Sequence, residues 1–405
     1  MASLQAGVGR GTDRDPAVAG QRAAERASEG VGGSEQLAFA FASSVYDQGT
    51  IIRAIDEVLN CPVSGCSTSG EITGSGSFTE SVVVLVLAGE GLRAGCGLGT
   101  GFGADPRAAG REATASALTS VGADSIPTDV LTRGNTGWRS ASTFVSNIYG
   151  DAIDSDKLEG LRGARESLGP SQTAGGWAAD DWNFERTWVY HGGNAHTDAI
   201  TVTALDLDVA AGVGVANGLQ PTDRSYTVTA ADNGWVYELD GRPAGEVYRD
   251  LFGDRVRNTH FLLTCPMGVS LGEGEHRIFV AHEYDEDRGA LAVDKPLEEG
   301  WRVTIMDTSP ETVLAGAEQA IDRALTKAGH PNDIAAVLIY DCNCRWYFLS
   351  NQRRRDAEID AITDRVGPDV PIAGFYSYGE IGPPGPLAGW RNQSIVVEVI
   401  SNEPV

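Results

Sequence analysis

The sequence is poor in lysine and in positive charge. Lys157, Lys295 and Lys327 are its lysines; the 31 basic residues face 56 acidic ones, and the formal net charge is −25. A surface of that sign repels phosphate backbones and anionic lipid, which argues against nucleic-acid binding and membrane association. The carboxylates are scattered rather than gathered into a tail. They read as a halophile-like acidic surface kept hydrated at high salt, not as an acidic docking face. Long apolar runs are missing too. The longest, residues 82–88, suits a buried strand and falls far short of a membrane span. The N-terminal stretch has no apolar segment of a secretory signal, so the expected compartment is the cytoplasm. Six cysteines at irregular spacings make no disulfide framework. Cys342 and Cys344 stand one residue apart, without the two-residue gap of a zinc or redox pair and without a neighbouring histidine, so no metal is expected.

What the sequence does contain is repetition. Asp15-Pro16 opens an alanine-rich stretch, Asp105-Pro106 opens a second, and Ser309-Pro310 precedes a looser third through Ala320 and Ala324. Each reads as an amphipathic helix with a capping side chain and proline in its first turn. After the first, a strand at 37–42 and a helix at about 50–59 lead to Gly65-Cys66-Ser67-Thr68-Ser69-Gly70-Glu71-Ile72. After the third, a strand at 336–342 and a helix at about 357–366 lead to Gly374-Phe375-Tyr376-Ser377-Tyr378-Gly379-Glu380-Ile381. The two loops match in register and are followed by similar strands beginning at Ser81 and Ser394. A looser middle copy runs through Gly175, Gly176, Asp180 and Asp181 to a strand at 199–204. Residues 124–160 are polar and turn-rich. Between the second and third copies, residues 226–239 read as a hairpin around Asp232-Asn233-Gly234, followed by a short helix. The acidic turn at 285–289 lacks the ligand order of a calcium loop.

These blocks resemble the FIST family. The Gly65–Ile72 stretch looks like the signature of its N-terminal domain, Gly175 to Asp181 like a second block, and residues 374–382 with Asn392-Gln393-Ser394 like the closing blocks of its C-terminal domain. The resemblance implies an α/β fold with mixed sheets, built from repeated helix–strand–helix–strand units. The expected division is an N-terminal segment, 1–34, with one helix and partly flexible; a FIST N-terminal domain, 35–225; and a FIST C-terminal domain, 226–400. The implied function is intracellular sensing of a small, amino-acid-like ligand, with the signal leaving through a separate output protein. No cofactor follows from this, and no catalysis.

Expected ligand contacts are Gly65, Cys66, Ser67, Thr68, Gly70 and Glu71 in the first loop and Tyr376, Tyr378, Gly379 and Glu380 in the last. Glycine loops after buried strands offer backbone N–H groups at close range. Glu71 and Glu380 either take a ligand ammonium or satisfy neighbouring amides and arginines such as Arg345. Asp180 and Asp181, with Gly175 and Gly176, either join the site or cap the segment before Trp182. Two alternatives stand beside the sensor. One is a hydrolase or transferase using Cys66 or the glutamates, although all six histidines lie at 191–330. The other is a haem-based gas sensor with His191 or His196 as axial ligand.

Overall fold

The computed structural model describes residues 4–122, 143–151, 156–168, 172–272, 275–383 and 386–404. One unit recurs three times. The first comprises β1 (Gln5–Gly11), α1 (Pro16–Glu29), β2 (Leu37–Ser43), α2 (Gln48–Val58), β3 (Val63–Thr68), the hairpin β4 (Glu71–Thr73) and β5 (Gly76–Phe78), and β6 (Val82–Ala88). The second comprises β7 (Leu92–Thr100), α3 (Pro106–Val121), β8 (Thr143–Gly150), α4 (Lys157–Arg165), β9 (Gln172–Trp177), the hairpin β10 (Val189–His191) and β11 (Asn194–His196), and β12 (Ala199–Leu207). The third opens with β13 (Val209–Ala216) and is then interrupted.

The interruption holds β14 (Gln220–Asp232), β15 (Trp235–Leu239), β16 (Arg242–Pro243), α5 (Ala244–Phe252) and α6 (Thr259–Leu262). It continues with β17 (Met267–Gly272), β18 (Glu275–Phe279), β19 (Ala281–Asp285), β20 (Ala290–Val293) and β21 (Arg302–Asp307). These strands form their own sheet around an apolar core that includes Val236, Tyr248 and Phe279. The third unit resumes with α7 (Pro310–Lys327), β22 (Ile334–Cys342), α8 (Asn343–Phe348), α9 (Gln352–Val366), β23 (Ile372–Ser377), β24 (Glu380–Ile381) and β25 (Ile395–Pro404).

The three unit sheets have one strand order and exchange their hairpins. The orders are β1-β6-β2-β3-β10-β11, β7-β12-β8-β9-β24 and β13-β25-β22-β23-β4-β5. The first unit thus lends β4 and β5 to the third, the second lends β10 and β11 to the first, and the third lends β24 to the second. Backbone bonds repeat around this cycle: the carbonyls of Ser67, Trp177 and Tyr376 accept from the amides of Ala179, Tyr378 and Ser69. The inner faces of the sheets share one core, where Phe41 stacks on Phe375 at 4.8 Å and Tyr149 lies 6.1 Å from Tyr340. The outer faces each bury helices.

Glycine explains the alanine repeats. Each alanine helix packs on the opening strand of its unit, whose alternate residues are glycine. A Cβ at Gly7, Gly9 or Gly11 would lie 2.0 Å from the carbonyl oxygen of Ala27, Ala23 or Ala19. The same holds at 2.0 and 1.9 Å for Gly97 and Gly99 against Ala113 and Ala109, and at 1.9 Å for Gly214 against Ala320. Helix and strand backbones therefore touch, and only hydrogen fits between them. The predicted helix starts hold: Asp15, Asp105 and Ser309 accept from amides of their first turns, each with proline at the start. The hairpin expected at 226–239 is present, with Asn233 and Gly234 at φ 48° and 81°.

The periodicity reading found the alanine helices but not the glycine strands β1, β7 and β13. It also read no strand in 124–160, where β8 forms the centre of the second sheet. The cause is buried polarity: Ser146 and Asn147 are wholly enclosed, and the Asn147 amide donates to Tyr340 Oη at 2.9 Å and to Glu398 at 2.5 Å. A strand that buries its polar groups against partners from another unit does not look apolar in its own sequence. Parts of 124–160 lie outside the described residues.

Candidate ligand site

The two Gly-Glu loops are built alike. Glu71 Oε2 accepts from Ser81 N at 3.1 Å and Ser81 Oγ at 2.6 Å, while Thr68 Oγ1 donates to its other oxygen. Glu380 Oε2 accepts from Ser394 N at 3.0 Å and Ser394 Oγ at 2.7 Å, with Ser377 Oγ 3.0 Å from Oε1. Both carboxyls are fully buried. Burial pushes the Glu71 carboxyl up to about 8 against the pull of its donors, and lifts that of Glu380 well above the carboxylate range. In the second unit Asp151 takes over, accepting from Asp198 N at 2.8 Å and from Thr187 at 2.5 Å. Arg345, considered above as a partner for the glutamates, is instead buried between Asp341, at 2.7 Å, and Glu358.

The other expected contacts fall as follows. Gly65, Gly175 and Gly374 occupy equivalent positions, where a Cβ would stand 1.9, 2.0 and 2.1 Å from a carbonyl of the neighbouring strand. Cys66 lies in the shared core, and burial raises its thiol well above the ordinary range. Ser67 Oγ donates to Ala179 O at 2.8 Å. Gly70 O accepts from Tyr376 N at 2.9 Å. Gly176 pairs with Glu380 across β9 and β24. Asp180 accepts the amides of Phe184, Glu185 and Arg186 at 2.7–2.9 Å and also the Tyr378 hydroxyl at 2.6 Å. Asp181 accepts from Ser43 and Ser44. Gly379 sits against Trp177 and Trp390. His191 and His196 lie on the β10–β11 hairpin, with His196 Nε2 3.3 Å from His191 O.

Of these residues Tyr378 borders a cavity. The space measures 730 Å³ and opens where the Gly-Glu loop of the third unit meets the start of α4 and the insertion. Tyr378 stacks on Phe184 at 4.6 Å, and its hydroxyl accepts from Trp182 N at 2.7 Å. Trp182, Phe184, Leu263, Val280 and Trp390 make the wall largely apolar, while Lys157, His282, Asp294, Asn343 and Asn392 supply polar groups.

Lys157 is the cation of this wall. Its Nζ lies 3.4 Å from Tyr378 O and 5.8 and 5.7 Å from the rings of Trp177 and Trp390. Burial lowers its amine to about 8, against attraction from Asp294. Lys295 pairs with Asp294 and lies over Trp390 at 4.7 Å. Asp294 also accepts Val280 N at 2.7 Å and the Asn392 amide. The side chain of Asn343 is buried, and both its polar atoms lack a partner among the described residues. That is the pattern of a group reserved for something the cavity receives. Burial also lowers the imidazole of His282.

Sequence reasoning missed Lys157, His282, Asp294 and Asn343. Lys157 carried a signal of scarcity, being one of three lysines, while Lys295 pairs with the Asp294 of this wall. Cys342 and Cys344, weighed above as metal ligands, line it too; no group of three or more metal-binding side chains exists among the described residues.

Comparison with known proteins decides the family. The FIST N domain matches residues 36–242 and the FIST C domain matches residues 244–383. The chain belongs to the FIST family. FIST domains are sensory domains of signal transduction rather than catalytic ones. An uncharacterized protein of Mycobacterium tuberculosis is 26% identical over 178 residues, 42% of this chain and 45% of that protein. An uncharacterized protein of Methanocaldococcus jannaschii is 25% identical over 165 residues, 37% of this chain and 32% of that one. The matches thus span less than half of these curated relatives. Among solved structures, cyanuric acid hydrolase from A. caulinodans aligns over 99% of both chains with a TM-score of 0.36 and 9% identity. T. maritima PurL complexed with FGAR aligns over 100% of this chain and 73% of that one, with a TM-score of 0.24 and 8% identity. No helix among the described residues of this FIST protein is long and apolar enough to cross a membrane.

Proposed function

We propose that this FIST protein senses a small, amino-acid-like carboxylate in the cytoplasm and passes the signal to a separate output protein. The carrying observation is the placing of Lys157, near two tryptophan rings, with the Asn343 amide, which has no partner among the described residues, on the wall of a largely apolar cavity. Such cavities suit small ligands, with few polar groups fixing orientation. Lys157 and Asn343 would take the carboxylate, Asp294 an ammonium, and the aromatic wall an apolar side chain. Tyr378 then belongs to the ligand wall, while Glu71 and Glu380 hold their own loops closed. Cys66 is a poor nucleophile, since its thiol is enclosed and pushed up by burial.

The test is a thermal-shift panel of amino acids and short carboxylic acids at fixed ionic strength. A ligand at a hundred times its Kd stabilises by about 2.7 kcal/mol. We expect such a shift in the wild type and its loss in a folded Lys157→Met variant. A panel without any shift, or a shift kept in the variant, would overturn the reading. A Soret band in the purified protein, lost on replacing His191 or His196, would favour the haem alternative instead.

A further inference from the structure

The apolar wall of the 730 Å³ cavity is aromatic more than aliphatic. Among the described residues Trp182, Phe184, Tyr378 and Trp390 line it with rings, against Leu263 and Val280 with branched chains. Trp182 and Phe184 come from the segment that follows β9, and their backbone is unusual. Asp181, Trp182 and Phe184 have φ of 54°, 67° and 54°, in the left-handed region that disfavours bulky side chains. Nowhere else among the described residues do three such non-glycine residues fall within four positions. Asn183, a residue type that suits this region, stands between them and is not in it.

Hydrogen bonds hold this turn from several sides. The Asp180 carboxylate accepts the amides of Phe184, Glu185 and Arg186, and its carbonyl accepts from Asn183 N at 3.1 Å and Asn183 Nδ2 at 2.7 Å. The Tyr378 hydroxyl accepts from Trp182 N and donates to Asp180. Asp181 is tied to Ser43 and Ser44 through its carboxylate and to Ser69 through its amide. These bonds explain how the turn is held, but not why its crowded positions carry rings, where glycine or asparagine would relieve the crowding. Core packing does not explain it either, since Phe184 is 47% exposed and Trp182 is half-buried. What the turn does is set out a row of rings. Phe184 lies flat on Tyr378 at 4.6 Å, and Trp182 stands edge-on to Phe184 at 6.0 Å. Backbone strain held in this way is found at ligand clamps. A further aromatic ring can extend such a row by stacking or edge contacts, which a saturated side chain does not reproduce.

We infer that the ligand of this cavity is an aromatic amino acid or a related aryl carboxylate, and that Trp182 and Phe184 select its ring. The inference rests on the reading of Lys157 and Asn343 as partners of the carboxylate, and it names the side chain that reading left open.

Two matched pairs of probes test it by calorimetric titration at fixed ionic strength: phenylalanine with cyclohexylalanine, and phenylacetate with cyclohexylacetate. Within a pair the carbon skeleton is the same and only the aromaticity of the ring differs. In at least one pair the aromatic member should bind about tenfold more tightly, the worth of one or two ring contacts. The pair that shows the preference tells an amino acid from a simple aryl acid. Phe184→Leu and Trp182→Leu should each erase most of that preference while the cyclohexyl member still binds. Should Trp182→Leu fail to fold, Phe184→Leu at its exposed position carries the test. Equal affinities within each pair would overturn the inference and leave the carboxylate reading standing. A preference that survives the folded substitutions would overturn the selecting role of these two rings. Binding of none of the four probes would overturn the inference as well, and the broader thermal-shift panel, with its aliphatic members, then decides the carboxylate reading by itself.

Discussion

The Gly-Glu loops of the first and third units are chemically near-copies with different surroundings. Each buries a glutamate that accepts from the amide and hydroxyl of a serine ten or fourteen residues on. Each also enters the sheet of a neighbouring unit. Yet among the described residues only the loop of the third unit borders the apolar cavity, because Tyr378 stands where the first loop has Ser69, and because the insertion supplies Leu263, Val280, His282 and Asp294 beside it. The repeat therefore builds the frame, and the departure from the repeat builds the site. The loop glutamates, which the two loops share, are fully buried.

The strongest way to break this comparison is to strike the frame at equivalent points. Gly9 and Gly214 both lie under a helix carbonyl, at 2.0 and 1.9 Å from where a Cβ would stand. Gly9→Ala and Gly214→Ala should each cost about 3 kcal/mol, the upper range for overpacking against atoms that cannot yield. Chemical denaturation measures both. A cost under about 1 kcal/mol in one and a large cost in the other would mean that the units are not equivalent.

That frame was partly legible. Alanines at four-residue spacing and two matching loops revealed the repeat and its helices, because those features depend on local periodicity and capping. The glycine strands were written just as openly, as Gly7-x-Gly9-x-Gly11 and Gly95-x-Gly97-x-Gly99. They were missed because glycine reads as a turn signal, whereas here it marks backbone contact with a helix. Strand β8 was hidden by Asn147, whose partners Tyr340 and Glu398 lie about 190 and 250 residues away. The loops drew attention as a ligand site through their glycines and glutamates. The cavity itself depends on Lys157, Asp294 and Asn343, which meet only through the exchange of hairpins and the insertion, and no spacing records that.

A smaller effect sharpens the comparison at the loops themselves. Removing either carboxyl strands a buried serine amide and hydroxyls, each loss falling in the range for an unsatisfied buried group. Glu71→Ala and Glu380→Ala should each destabilise the protein by about 2 kcal/mol in urea melts. Equal losses support one shared structural task. A Glu380→Ala variant as stable as the wild type would instead free that glutamate for a ligand.

The remaining test is a slope. Burial holds the Glu71 carboxyl at about 8 in the folded protein, against 4.5 for an ordinary glutamate, and Glu380 is shifted the same way. The sign follows from linkage: a carboxyl raised by folding favours the folded state while protonated. Its contribution is complete below about pH 4.5 and is lost as pH rises through about 8. Between those limits one such group removes about 1.4 kcal/mol of stability per unit of pH. Glutamine mimics the protonated carboxyl, since its oxygen accepts from Ser81 and its amide can donate to Thr68, but it does not titrate. Glu71→Gln should therefore flatten the fall in stability between pH 5 and 8, and Glu380→Gln should flatten it likewise. Denaturation curves at four pH values across that window measure both slopes. If Glu71→Gln keeps the wild-type slope, the carboxyl is ionised throughout, and its three donors, not its burial, govern the loop.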